Sequence, residues 1–129
     1  GFVSDQDRDT LIAEARALVV PSQHESLSMV LLESLAAGCP VLVNRRCEVL
    51  RQHVLLSGAG QAYSGTEEFI RSAQLILAAN ASTRAEWATL GRGYVAEHYG
   101  WAHVVAQLRD AIATCAASVG VLTTQGQAS

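Results

Sequence analysis

Two apolar triplets, Leu18-Val19-Val20 and Val41-Leu42-Val43, bracket one stretch of helical spacing. No other feature narrows the fold as much. Each triplet is apolar at every position, so it reads as a strand buried on both faces, and such strands belong to parallel sheets. Between them, helical periodicity starts near Met29 and stops at Gly38, a good C-cap residue, with Pro40 just beyond. Strand, helix and parallel strand make the βαβ unit of a layered α/β domain. Open sheets of this kind bind ligands at the carboxyl ends of their strands. Here that junction holds Glu25, in the polar loop after Pro21, and Glu33, about one turn into the helix.

The remaining punctuation extends the pattern. Ser4 with Asp7 resembles a capping box, and Leu11, Ile12, Ala15 and Leu18 follow helical spacing, with the helix ending near Arg16. A short helix is expected over Cys47 to Val54 and a third strand over Gly60 to Tyr63. Phe69, Ala73, Ile76 and Leu77 share a helical face. Thr83 with Glu86 forms a second capping box, opening a helix with Trp87, Leu90 and Tyr94 inward. Trp101, Val104, Val105, Leu108, Ile112 and Cys115 make the best apolar stripe in the chain and read as core. From Val119 the sequence is rich in Gly, Thr, Gln and Ser, which predicts a flexible tail over 119–129 after a domain over 1–118. Five helices around two or three strands are too many for a complete doubly wound sheet. The chain therefore reads as the later half of a domain. Its first strand would have a bare apolar edge, a template for pairing with a second copy.

Composition excludes several functions. The chain has 129 residues, half of them apolar, enough for one domain with a real core. Nine basic against twelve acidic residues leave a net charge of −3, and there is no lysine-rich run, which argues against nucleic acid as a partner. No apolar stretch is long enough to cross a membrane. Cys39, Cys47 and Cys115 are odd in number and lack CxxC spacing, so they read as buried reduced thiols of a cytoplasmic protein. With His24 and His53 they fit no common zinc pattern. Gly91-Arg92-Gly93-Tyr94-Val95-Ala96 matches a dinucleotide fingerprint in letters, but it follows a helix rather than a strand.

A loop carboxylate and a helix carboxylate are most often just solvated. At a strand–loop–helix junction they also suit one particular ligand. A nucleotide-sugar carries hydroxyls at both ends of a diphosphate. Carboxylates accept hydrogen bonds from hydroxyls, and the N–H groups of a helix start favour phosphate. Glu25 would then hold the sugar and Glu33 the ribose. His24 beside Glu25 is read as solvated, with substrate contact as the alternative. Arg45 and Arg46 follow the second strand and are read as surface residues, with phosphate or acceptor contact as the alternative.

Val-Val-Pro-Ser, then Glu25-x7-Glu33, then Ala37-Gly38-Cys39-Pro40-Val41 resembles the donor-site signature of retaining GT-B glycosyltransferases, most closely family 4 (group 1). Gly1 to Ser4 resembles the end of the preceding strand and turn. Tyr99-Gly100-Trp101 resembles the signal before the family's last helix, so the likeness runs over about residues 1–117. It implies a partial Rossmann-like parallel sheet flanked by helices, from the later half of a GT-B C-terminal domain.

The resemblance also implies roles. Glu25 would be the catalytic residue, binding hydroxyls of the transferred sugar near the anomeric carbon. Ser26, Leu27, Ser28, Met29 and Val30 would meet sugar hydroxyls and the distal phosphate through their backbone, and Glu33 would hold the ribose. The implied reaction moves a sugar from a nucleotide-diphosphate-sugar to an acceptor with retention, with no metal and no cofactor. If the acceptor is a lipid, the inner membrane face is the implied place. Ser26-Leu27-Ser28 stands where many members have Gly-Phe-Gly. The basic residues that neutralise the diphosphate, and the N-terminal acceptor domain, are expected on chain that precedes this one. The chain alone is therefore expected to be inactive. A non-catalytic nucleotide-binding or interaction module on the same half-fold is the alternative reading, and a sugar-nucleotide epimerase a more distant one.

Overall fold

The computed structural model describes residues 2–125, with side chains described for 2–117. The chain divides into two compact units, residues 1–96 and 97–129. In order, the elements are α1 (Asp5–Glu14), β1 (Leu18–Val20), α2 (Met29–Ala37), β2 (Val41–Asn44), α3 (Glu48–Ser57), β3 (Gly60–Tyr63), α4 (Thr66–Ala78), α5 (Ala81–Tyr99) and α6 (Trp101–Gln125). The chain is thus a mixed α/β structure, built on a three-stranded parallel sheet flanked by helices.

The sheet order is β1-β2-β3, with both pairs parallel. Leu18, Val19 and Val20 lie opposite Val41, Leu42 and Val43, which in turn lie opposite Gly60, Gln61 and Ala62. β2 is central, and Val41, Leu42 and Val43 are all buried. Its neighbours share two faces by this register. Val19 and Leu42 line a groove with Phe69, Ala73 and Ile76 of α4, and the Tyr63 and Phe69 rings meet edge to face at 4.9 Å on the same side. The crossovers through α2 and α3 put those helices on the other face, as the right-handed rule for such connections requires. Leu31, Leu35 and Leu50 are buried there. Glycine is required at position 60, because a Cβ would run into the backbone carbonyl and side chain of Val41 on the adjoining strand.

Helix ends follow local chemistry. The Ser4 hydroxyl accepts from the Asp7 N–H at 3.1 Å and caps α1. Gly38 closes α2 in the left-handed conformation, with φ 85°. The Cys39 N–H then reaches back to the Ser34 carbonyl at 2.9 Å, and the buried Ser34 hydroxyl donates to the Cys39 carbonyl at 3.1 Å. Cys47 stands at the N-cap of α3.

Several expectations need correction. The cap of α5 is Asn80, whose side-chain oxygen accepts from the Thr83 N–H at 2.9 Å, so Thr83 lies inside the helix and not at its start. Leu90 is exposed, and Gly91 is the buried residue beside Tyr94, where it passes close to the Leu35 carbonyl. On α4, Leu77 is exposed and Ser72 takes its place inward. Cys39 and Cys47 are buried, but Cys115 is exposed. Burial pushes the Cys39 thiol above its ordinary pKa.

In the second unit, Trp101, Leu108 and Ile112 of α6 are exposed rather than core. The expected tail, 119–129, overlaps α6 as far as Gln125, and its remainder lies outside the described residues.

His53 was given no partner from sequence, yet it is the main polar group of the α3 interior. Its Nδ1 lies 2.9 Å from the Tyr94 hydroxyl of α5, both side chains being buried. Burial pushes its pKa below the ordinary value, favouring the neutral ring in the folded chain. As pH falls, the unfolded chain takes up this proton first, at about 6.5. Stability contributed at this site is therefore lost as pH drops through that value toward the lower folded pKa. Thermal unfolding followed from pH 7.5 to 5.5 should show a fall in Tm that His53→Gln flattens. Tyr94→Phe, which removes one buried hydrogen bond, should cost about 1–2 kcal/mol at pH 7.5.

Candidate functional site at the carboxyl edge of the sheet

β1 and β2 run parallel, so their carboxyl ends open on the same edge, each followed by a loop and a helix start. One side chain ties the two ends together. Asn44 Nδ2 donates to the Pro21 carbonyl at 3.1 Å, and its Oδ1 accepts from the Arg46 N–H at 3.0 Å. Pro21 has no N–H to continue the ladder, so the chain leaves the sheet there and becomes a polar loop.

That loop reaches α2 through Ser28, which is buried and whose carbonyl accepts from both Leu31 and Leu32. Neither Ser28 nor Cys47 caps its helix through a side chain. The Leu31 N–H is thus satisfied by the backbone, while the first N–H groups of α2 and α3 receive no side-chain cap. Such groups are disposed to meet an anion.

Two clefts open here. The first, of about 510 Å³, lies between Gln23, His24, Glu25 and Ser26 of the β1 loop and Arg46, Cys47, Glu48 and Val49 at the start of α3. Glu25 is half-buried in its wall. The second, of about 480 Å³, lies on the α4 side between Val19, Pro21, Tyr63 and Phe69, with Asn44, Arg46, Gly65 and Thr66 around it. Arg46 belongs to both.

The family described as glycosyl transferases group 1 matches residues 1–92. The chain belongs to the group 1 glycosyltransferases. No curated protein and no solved structure matches it. The matched span holds the whole sheet, both clefts and both glutamates of this group 1 glycosyltransferase chain, while α6 lies outside it.

Within that frame the residues singled out from sequence divide. Glu25 and Ser26 line the first cleft, with His24 beside them. Leu27, Met29 and Val30 are exposed around the start of α2, while Ser28 is withdrawn into the interior as its N-cap. Glu33 does not line the Glu25 cleft. It lies on α2 with its Oε2 3.8 Å from Arg8 Nε of α1, an ion pair with both side chains part-exposed. Arg8 also holds Asp5 and Asp9 at 3.1 and 2.9 Å. The hydrogen bonds it donates to Asp9 and the charge of Glu33 raise its pKa. Nothing in the residue spacing announced that α1 would supply a cation to Glu33.

The two adjoining arginines differ in a way the sequence could not separate. Arg45 Nη2 donates to the Ala62 carbonyl at 2.8 Å and to Glu68 Oε1 at 2.7 Å, while the other Glu68 oxygen accepts from the Ser64 N–H. It fastens the exit of β2 to β3 and to the first turn of α4. The Arg46 guanidinium makes no hydrogen bond or ion pair among the described residues, and Arg46 lines both clefts. Nearby, Glu48 is held by Arg51 at 2.6 Å and by Gln52 at 2.9 Å, and these contacts lower its pKa, the Arg51 bond most. Its charge is thus partly satisfied on its own helix, leaving Arg46 and Glu25 as the uncommitted pair of opposite charges. Among the described residues no group of three or more His, Cys, Asp or Glu side chains is arranged to hold a metal. No helix among them is long and apolar enough to cross a membrane.

These assignments separate by substitution. Arg45→Ala should lower stability by about 1 kcal/mol, since it removes a charged hydrogen bond and a part-exposed ion pair. Arg46→Ala should leave stability within about 0.5 kcal/mol of the parent. Denaturant unfolding of the two variants checks the contrast.

Proposed function

We propose that the chain is the donor-binding part of a retaining GT-B glycosyltransferase, with a nucleotide-diphosphate-sugar seated at the carboxyl edge of the sheet. The observation that carries this reading is the cleft lined by both Glu25 and Arg46, a carboxylate and a guanidinium without an ion pair among the described residues, beside the start of α3. A nucleotide-sugar has matching chemistry. Its diphosphate suits Arg46 and the first-turn N–H groups of α2 and α3. Its sugar hydroxyls suit the Glu25 carboxylate, with the backbone of Ser26 to Val30 alongside. Glu33 serves the ribose hydroxyls in this reading, its carboxylate retaining acceptor capacity beside the long contact to Arg8.

In the transfer step the bond from the anomeric carbon to the phosphate oxygen breaks. The acceptor oxygen bonds to the same face of that carbon. The acceptor proton passes to the leaving phosphate, and the nucleoside diphosphate departs. Glu25 stabilises the oxocarbenium-like charge and is not a covalent nucleophile. Arg46 stabilises the charge that develops on the leaving diphosphate. Acceptor recognition has no counterpart in this assignment, so the chain by itself is assigned binding rather than turnover.

A second reading, a nucleotide-binding module without transfer, is favoured by the placement of Glu33, which faces Arg8 and not the Glu25 cleft. Calorimetric titration of the chain with UDP- and GDP-sugars and with the corresponding nucleoside diphosphates distinguishes the two. Under the donor reading, Arg46→Gln weakens every diphosphate ligand about tenfold or more, whereas Glu25→Gln weakens only the sugar-bearing ones. Equal loss of both ligand types in Glu25→Gln would favour the module. Binding untouched by either substitution would remove the donor site from this edge.

A further inference from the structure

The cleft that holds Glu25 and Arg46 has a second carboxylate in its wall, and its hydrogen bonds limit what it can do. Glu48 is the first residue of α3. Arg51 and Gln52 follow at i+3 and i+4, so both side chains reach back to it along one helix face. Arg51 Nη2 and Gln52 Nε2 donate to Oε1 at 2.6 and 2.9 Å, and Arg51 Nε donates to Oε2 at 3.0 Å. A carboxylate accepts at about four lone-pair positions, about two on each oxygen. Oε1 is therefore full, and Oε2 keeps one place. The side chain is 65% exposed, so that place is open to a ligand.

These bonds hold the carboxylate in one orientation. They also keep it ionised, since its pKa is lowered, by the Arg51 bond most. An ionised carboxylate accepts hydrogen bonds and donates none, so whatever meets Oε2 must carry a donor. A sugar hydroxyl does so. A sugar carboxylate, as in a uronic acid, brings only acceptors, and it would set its charge beside that of Glu25 in the same cleft. A sugar ammonium is a donor too. Glu48 is already balanced by Arg51, however, and Arg46 adds another cation to the cleft.

We propose that Glu48 selects the sugar of the donor, admitting a neutral sugar through one hydroxyl received at Oε2 and rejecting sugar acids, with Arg51 as its positioning residue. The inference rests on the donor reading above. It adds to that reading a sugar class and a residue that the sequence pattern did not single out. Glu25 on the β1 loop and Glu48 on α3 then read the sugar from two walls of one cleft, while Arg46 meets the diphosphate.

Two pairs of ligands test it, UDP-glucose against UDP-glucuronate and GDP-mannose against GDP-mannuronate. Within a pair the only difference is a hydroxymethyl group in one and a carboxylate in the other. Calorimetric titration of the full chain gives the ratio of the two affinities. The ratio cancels any loss common to both ligands, including a change in the folded fraction. The parent should prefer the neutral member by about tenfold or more. Glu48→Gln, whose amide can donate to a carboxylate, should cut that ratio about fivefold or more. Arg51→Met leaves Glu48 ionised but no longer held, so it should weaken the neutral member while the uronate stays rejected. Uronates bound as tightly as neutral sugars by the parent overturn the proposal, and so does a ratio that Glu48→Gln leaves unchanged. A preference lost in Arg51→Met would make the guanidinium the reader of the sugar and overturn the assignment to Glu48. A Glu48-dependent preference for UDP-glucosamine over UDP-glucose would overturn the neutral class. If Arg46→Gln weakens UDP and GDP while the ratios fail in these ways, this inference falls and the donor reading stands. If no nucleotide binds the parent, both fall.

Discussion

The arrangement depends on the burial of one strand. β2 is paired in parallel on both edges and covered on both faces, so Val41, Leu42 and Val43 are almost wholly withdrawn from water. Parallel pairing cannot be made by a tight turn, and it demands a long return through a helix on each side. Those returns are α2 and α3. Because both begin after the carboxyl end of a strand, both helix starts face the same edge, and so do the loops that feed them. The position of Glu25 beside Arg46 is thus a consequence of which strand is most buried.

Asn44 converts that topology into a defined geometry. With one amide it holds the Pro21 carbonyl and the Arg46 N–H, so the exits of β1 and β2 are fixed relative to one another. The adjoining Arg45 is spent on Ala62 and Glu68, which stiffens the far wall. Charge at the edge is therefore selective. Most ionised groups near it are satisfied by neighbours on their own or the adjoining element. Arg46 remains available to a ligand, and Glu25, which lines the same cleft, has no ion pair among the described residues.

Much of this was legible in the sequence, for physical reasons that also explain the rest. β1, β2 and the end of α2 were readable because continuous apolar runs and a Gly-x-Pro stop are local signals. The parallel sheet followed from them. The cap at Asn80 was missed because Thr83 and Glu86 have the right spacing for a capping box, and only the backbone shows which residue precedes the first turn. The inward set of α5 shifted by one position because Gly91, lacking a side chain, allows close approach to Leu35. The His53–Tyr94 contact joins residues 41 apart in sequence and left no local mark. At the site, Glu25 was found by its place after a strand. The ion pair that turns Glu33 toward Arg8, and the division of labour between Arg45 and Arg46, are long-range matters that residue spacing does not encode.

The central claim is that a diphosphate-linked ligand sits on the carboxyl edge between the β1 and β2 loops. Backbone amide chemical shifts, followed while a nucleotide-diphosphate-sugar is titrated into the isotope-labelled chain, test it most directly. The account predicts that the largest changes fall together at residues 23–30 and 44–49, saturating with one binding curve. Changes centred on the amino edge of the sheet or on α6, or a spectrum that does not respond to any such ligand, would contradict it.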